Sequence, residues 1–387
     1  MGFTPLTEAK YSGGSISNIL PSFAKVYAIQ PRDGIKRAPL FPQIHKHLES
    51  LAKKSKRIVI FEIDGLGFDR LVKVRKRFSF LNQAVFKITS TFPTYTHSAF
   101  TSFITGTPPS IHGLVAGTFK LDGEIKWVGE ISNREKKNLI LADSLLWAFE
   151  KRGHRIHSIL YDVNNGHYSK VLYPNRNFVS SQFSGKDNLV TEAKTVEKRV
   201  FEKVQDFARK DFFILTAYFW YLDGITGKYG KFSQQSINHC VFLFKEIGRL
   251  NRIFPKDTLF LFFGDHGHTS LKKNVLLNQD HLREISTLSG AELALDGRTL
   301  MFYSQKPNLT KKLFEKYYGQ YTDEISRKDY IELLGRNCST EVKNRIGSLI
   351  YLAKSHYTLR LKPKKSKATH GGGSKKEMET VLGFWKN

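Results

Sequence analysis

Three aspartates and three histidines stand where chemistry is possible. Asp64 follows the apolar run Arg57–Ile63, Asp223 ends FFILTAYFWYL, and Asp265-His266 follows LFLFFG. His268 lies two residues further on, and His370 opens His-Gly-Gly-Gly. Carboxylates with imidazoles suit Zn²⁺, with Mn²⁺ or Fe as alternatives. A single Asp after a strand is ordinarily a helix N-cap. Three at strand ends, joined by Asp-His and a late His-Gly, would need a separate coincidence each.

A hydroxyl-rich segment adds a second kind of chemistry. Phe92-Pro-Thr-Tyr-Thr-His-Ser opens a polar turn, and an apolar-periodic helix is expected over 98–104. A hydroxyl at a helix start faces free N–H groups and the positive end of the helix dipole. That environment suits an anion and also a hydroxyl that must become an alkoxide. An ordinary Thr or Ser N-cap is the alternative.

The elements that must position these residues read as an α/β fold. Arg57–Ile63 is a continuous apolar run ended by Asp-Gly, the mark of a buried parallel strand. The pattern recurs at Ile156–Tyr161, 212–221 and 258–263, with helices expected over 142–151, 191–209 and 233–252 between them. Such alternation implies βαβ units, a mostly parallel central sheet and helices on both faces. Its C-terminal strand edge, where ligands bind in open α/β sheets, receives the three aspartates. Thr299–Tyr303 is expected to add a strand. Residues 1–55 are weakly patterned and read as an N-terminal arm packed on the core. Residues 56–387 read as one catalytic domain, with a cap or lid inserted within 270–365.

At this point the chain resembles the type I phosphodiesterase/nucleotide pyrophosphatase branch of the alkaline phosphatase superfamily. The resemblance rests on Ile63-Asp-Gly-Leu, residues 92–113 with F-P-T-x-T…T-G-x-x-P-x-x-H-G, residues 218–223, Asp265-His-Gly, and His370-Gly-Gly-x-Ser with Glu377-Met378. It implies an alkaline-phosphatase-like fold and two metals, usually zinc. It also implies a threonine nucleophile that forms a covalent intermediate. Counting back from Thr105-Gly106 places the nucleophile on Thr96, not Thr94. Asp64, Asp265 and His266 match the ligands of the metal that touches Thr96, and Asp223 and His370 match ligands of the other.

Two positions depart from the family. Its Asp-x-x-x-His motif supplies a further ligand, but here the segment is Asp223-Gly-Ile-Thr-Gly227. Glycine has no ligating side chain. His268 is the nearest substitute and His97 a weaker one; the alternatives are a single firmly held metal, or loss of hydrolysis with binding retained. An Asn that some nucleotide pyrophosphatases use on phosphate is replaced by Gly117. Arg298, after Gly297, is open to two roles, a structural salt bridge or a substrate contact, and is carried forward as a substrate-binding candidate.

Composition frames the rest. The chain has 387 residues and 61 Lys plus Arg against 35 Asp plus Glu, so 61 − 35 = +26. At about 150 residues per domain, one large or two ordinary domains are expected. With 40% hydrophobic and 25% charged residues, disorder, collagen and coiled coil are disfavoured. The charge favours anionic partners: phosphorylated small molecules, phosphodiesters, or nucleic acid without a dedicated motif. The clusters include 53–57, 73–77, 134–137 and 362–367. The opening residues lack a secretory pattern, Leu6 breaks the myristoylation pattern, and 212–222 is too short to span a bilayer. Cys240 and Cys338 form neither a disulfide framework nor a Cys-rich zinc site, so a cytoplasmic protein is expected. The functional expectation is a metal-dependent phosphoric ester hydrolase, more diesterase than monoesterase. Phosphotransferase or phosphomutase chemistry and a degenerate anion binder are the alternatives.

Overall fold

The first apolar run becomes the centre of a seven-stranded sheet. In chain order the strands are β1 (Arg57–Ile63), β2 (Val85–Thr89), β3 (Ile156–Tyr161), β4 (Arg176–Val179), β5 (Ile214–Phe219), β6 (Thr258–Gly264) and β7 (Glu379–Lys386). The structure, a computed structural model, describes residues 6–82, 84–131, 139–181 and 188–387. The spatial order is β2-β7-β6-β1-β5-β3-β4. From β6 to β4 every pairing is parallel, and β7 runs antiparallel between β6 and β2. β5 and β6 are buried along their whole length, because helices cover both faces of a parallel sheet.

The connecting helices follow their local chemistry. Four helices matter for the site: α1 (Thr96–Thr105), α2 (Leu189–Asp206), α3 (Tyr221–Tyr229) and α4 (Gln234–Ile253); Asn188 caps α2, accepting from the N–H groups of Val190 and Thr191. That cap starts α2 two residues earlier than the periodicity predicts, and the expected tail to 209 is a separate 3₁₀ turn, Phe207–Arg209. Residues 16–52 are more than a wrapped arm. Helices Ile19–Val26 and Pro42–Ala52 bury Ile19, Leu20, Phe23 and Leu48 in the main core.

Thr299–Tyr303 joins a second sheet rather than the main one. This four-stranded antiparallel sheet has the order Glu292–Asp296, Thr299–Tyr303, Leu349–Ala353, Thr322–Ile325. Two short ladders tie the region to the main sheet's functional edge. Lys273–Leu276 pairs with Tyr357–Arg360, and Thr269–Ser270 pairs with Ala368–Thr369. The basic cluster 134–137 lies outside the described residues.

One core residue makes a stability prediction. Glu62 on β1 is fully buried and accepts a hydrogen bond from Tyr173 Oη at 2.8 Å. Burial pushes its carboxyl up to about 7, against the hydrogen bonds of Tyr173 and Thr216. The folded state therefore holds a proton that the unfolded state has released, and stability falls as pH rises from about 4.5 to 7. Glu62→Gln removes this penalty. Its thermal stability relative to the parent should rise by up to about 3 kcal/mol between pH 5 and pH 8. A stability difference that does not change with pH would refute the assignment.

Candidate metal centre and nucleophile

Adjacent parallel strands bring the first two acids together. Ile63 on β1 is in register with Gly264 on β6, so the next residues, Asp64 and Asp265, emerge side by side. Ile63 is also in register with Phe219 on β5, and α3 begins two residues later with Asp223 in its first turn. Asp223 thus reaches the edge from a helix rather than directly from a strand end.

The acids are half-satisfied. Asp265 Oδ1 accepts the N–H groups of Gly65 and His266, both at 2.8 Å, and Asp64 Oδ2 accepts Tyr218 Oη–H at 2.6 Å. The other two oxygens, Asp64 Oδ1 and Asp265 Oδ2, are buried without a hydrogen-bond partner. Both face His266 Nε2, at 3.3 and 3.2 Å, and Thr96 Oγ1 lies 3.3 Å from the same nitrogen. His266 Nδ1 sits 3.0 Å from the Gly267 carbonyl, which anchors the other side of the ring.

A second group adjoins the first. His268 Nε2 lies 2.7 Å from Asp223 Oδ1, and His370 Nε2 lies 3.5 Å from the same oxygen. The rings of His370 and His266 stack at 3.7 Å. His370 is aimed by its Nδ1, 2.7 Å from the Thr94 carbonyl. Thr94 Oγ1 donates to the Gly372 carbonyl and accepts from Gly371 N–H. That hydroxyl is tied to the glycine loop, while the hydroxyl of Thr96, the first residue of α1, has His266 as its one hydrogen-bond neighbour among the described residues.

Gly65 permits the second group. It has φ +74, and a Cβ there would stand 2.5 Å from His268 Cε1. The imidazole crosses the bare Cα to reach Asp223. Lys231 Nζ holds the His268 carbonyl at 2.7 Å and Asp69 at 2.5 Å. At Gly227 the carbonyl accepts Lys367 N–H at 2.8 Å, and no side chain is offered.

The electrostatics describe crowded, buried acids and imidazoles. Burial, with the Asp64 charge beside it, pushes the Asp265 carboxyl well above the usual range. Burial opposes a charged His266, but the hydrogen bond and charge of Asp64 outweigh it and raise the imidazole. For Asp223 burial is likewise outweighed, by His370 and His268, and the carboxyl is held low. Burial pulls His268 down to about 3, leaving it neutral and fit to ligate. Asp64, Asp265 and His266 offer three ligand atoms within 4.8 Å of one another, as do Asp223, His266 and His268. Two buried bare carboxylate oxygens beside a histidine nitrogen fit a divalent ion.

Two candidates fall elsewhere. Arg298, the substrate-binding candidate, is buried, and its guanidinium is directed at groups of the protein itself. Its Nε meets Glu377 at 3.0 Å, and its terminal nitrogens donate to the carbonyls of Ala353, Lys354 and Tyr357. Burial under the glycine loop demands such partners, and they consume the guanidinium. His97 stacks on Tyr95 and packs against Tyr168, outside both ligand groups. Tyr218, Gly65 and Lys231 were missed by sequence reading. Tyr218 is a polar tip inside an apolar run, and the roles of the other two need the fold.

Residues 58–375 match the type I phosphodiesterase/nucleotide pyrophosphatase family. The chain belongs to this family. The structure is similar to phosphonoacetate hydrolase from Sinorhizobium meliloti 1021 in complex with phosphonoformate, at 17% identity, TM-score 0.64, covering 85% of this chain and 90% of that one. It is also similar to human ectonucleotide pyrophosphatase/phosphodiesterase 5, at 15% identity, TM-score 0.62, covering 85% and 87%. An inactive threonine-to-alanine variant of the murine protein of that name, in complex with AMP, is similar at 14% identity, TM-score 0.59, covering 84% and 87%. These likenesses establish the alkaline-phosphatase-like α/β fold. No curated protein sequence matches the chain. Among the described residues, no helix is long and apolar enough to cross a membrane.

Proposed function

We propose that this family member is a metal-dependent phosphodiesterase that works through a covalent intermediate on Thr96. One observation carries the reading: two buried, unpartnered carboxylate oxygens, Asp64 Oδ1 and Asp265 Oδ2, converge with Thr96 Oγ1 on His266 Nε2. Asp64, Asp265, His266 and Thr96 would hold one ion. Asp223, His370 and His268 would hold the other, with His268 replacing the side chain that Gly227 lacks. Zinc fits the donor set best, with Mn or Fe as alternatives. A bound divalent ion supplies Lewis acidity and lowers the pKa of a hydroxyl beside it.

The chain's own residues do the rest. Thr96 Oγ attacks phosphorus, and the bond to the departing alkoxide breaks on the opposite side. Water then attacks the same phosphorus and frees Thr96. Free N–H groups at the start of α1 face the charge that gathers on the phosphoryl oxygens. The inactive threonine variant of the murine neighbour supports a threonine nucleophile. We read residues 270–365 as the cap that selects substrate. Two free, buried cysteines support a cytoplasmic location.

Chelation tests this directly. Dialysis against a chelator should abolish turnover of bis-p-nitrophenyl phosphate, and added Zn²⁺ should restore it. Elemental analysis should find close to two metals per parent chain and close to one in His268→Ala. The loss in kcat/KM should be at least about 100-fold, the upper end of what removing a mere supporting hydrogen bond costs. A faster monoester than diester reaction would reassign the preference. Turnover that survives chelation would end the metal reading.

A further inference from the structure

The strand Tyr357–Arg360 leaves the second sheet and runs through 361–367 to Ala368–Thr369 and His370. Residues 360–367 read Arg-Leu-Lys-Pro-Lys-Lys-Ser-Lys, five cations and no acid. The segment is pinned at both ends. Upstream, Tyr357–Arg360 pairs with Lys273–Leu276, and downstream Ala368–Thr369 pairs with Thr269–Ser270, beside His268. In the middle, Ser366 is buried and exchanges hydrogen bonds with the Asn274 side chain. Lys367 N–H donates to Gly227, and Leu271 N–H donates to Lys367.

The fixed backbone presents its charges outward. Lys362, Lys364, Lys365 and Lys367 are exposed, and none of them has an ion-pair partner among the described residues. Cations of one sign held together cost self-repulsion, which a bound anion relieves. Arg360 carries the run toward the metal edge. Thr358 and Arg360 share a face of their strand, two residues apart. Thr358 Oγ1 donates to Gly297, whose neighbour Asp296 senses the charges of both His370 and Arg360. Arg360 Nε is buried and unpartnered, while another of its nitrogens reaches Ser366 Oγ at 3.3 Å.

The absence of a side chain at Gly227 belongs to the same feature. The one heavy atom within 4 Å of a Cβ built there is the carbonyl oxygen of Ala368. The end of the basic segment, Lys367 and the Ala368 that follows it, therefore adjoins the position at which the family's motif carries an imidazole.

We propose that residues 360–367 form an anion track, and that the substrate is a chain of phosphates whose flanking groups lie along it as one phosphodiester enters the metal edge. The inference rests on the phosphodiesterase reading and names its substrate class. Binding is measured by anisotropy of a short fluorescein-labelled oligothymidylate, with the full-length, metal-loaded chain in a Thr96→Ala background that cannot consume the probe. Replacing Lys362, Lys364, Lys365 and Lys367 by Gln should weaken binding at least about tenfold. The salt slope should fall by about 3, at about 0.7 per lost phosphate contact on a single strand. With Thr96 restored, the same four substitutions should leave kcat/KM for bis-p-nitrophenyl phosphate within about twofold, because that substrate has no flanking charge. Linear polyphosphate should displace the probe, since the track reads phosphates rather than bases. Unchanged affinity and slope, an equal loss on the small diester, or no displacement by polyphosphate would each overturn the track. If the parent proves inactive on the small diester, the hydrolase reading fails while the anisotropy result still decides the track.

Discussion

Thr96→Ala should lower kcat for bis-p-nitrophenyl phosphate by about 10⁴-fold or more, while Asp64, Asp265 and His266 keep most of the metal. Among the described residues the hydroxyl has one hydrogen-bond neighbour, His266 Nε2 at 3.3 Å, so its removal breaks no structural network. Thr96 is the first residue of α1 and is only half-buried, so the fold should tolerate alanine. A fall in kcat at nearly constant KM is the signature of a group needed only at the reacting phosphorus. The control is Thr94→Ala. That hydroxyl bonds Gly371 and Gly372, so its loss should loosen the His370 loop and lower stability, with a smaller effect on rate. Rapid-quench trapping of radiolabel on the parent chain, absent in Thr96→Ala, would identify the intermediate. If Thr96→Ala keeps more than about a tenth of the parent rate, another nucleophile is at work.

The second large effect is structural. Arg298→Met should destabilise the chain by about 3–5 kcal/mol, a fall in Tm on the order of 5 °C at this length. Glu377 is fully buried; its carboxylate accepts Gly372 N–H and both donors of Ser374, and forms an ion pair with the Arg298 guanidinium. Removing the guanidinium leaves a buried charge without its cation and three carbonyls without a donor. Arg298→Met with Glu377→Gln should recover part of the loss, because the stranded charge is gone. Calorimetry of the three variants separates these contributions. A stable Arg298→Met protein with a raised KM would instead return Arg298 to the substrate.

Both expectations draw on the same piece of architecture. The loop at 370–374 carries His370 on one side, and Arg298 with Glu377 supports it from beneath. Thr94 ties it to the segment that presents Thr96. The candidate nucleophile Thr96 and the candidate ligand His370, from the other end of the chain, are thereby held in one frame. Mutations beneath the loop should move both metal affinity and rate, whereas mutation of Thr96 should move rate far more than metal affinity.

Some of this could be read without coordinates. Asp64 and Asp265 follow mainly apolar runs, the first interrupted by Glu62, and such runs in alternation with helices make parallel strands whose ends face one edge. The choice of Thr96 rests on the family resemblance and the count back from Thr105-Gly106, and its hydroxyl lies 3.3 Å from His266 Nε2. Arg298 was not legible, because a guanidinium among backbone carbonyls has the same sequence as one facing a phosphate. Residues 16–52 were underestimated because prolines break them into pieces too short to show periodicity, although Ile19, Leu20 and Phe23 complete the core.

The amino-acid order alone determined the parallel sheet, the acids at its edge and the hydroxyl at a helix start, since each follows from local hydrophobic patterning and short spacings. Tertiary structure alone decided how the second ligand group is completed. His268 reaches Asp223 only because Gly65, about 200 residues earlier in the chain, has no Cβ in its path and Lys231 holds the His268 carbonyl. Contacts between segments that distant leave no period in the sequence, because they depend on which strands become neighbours.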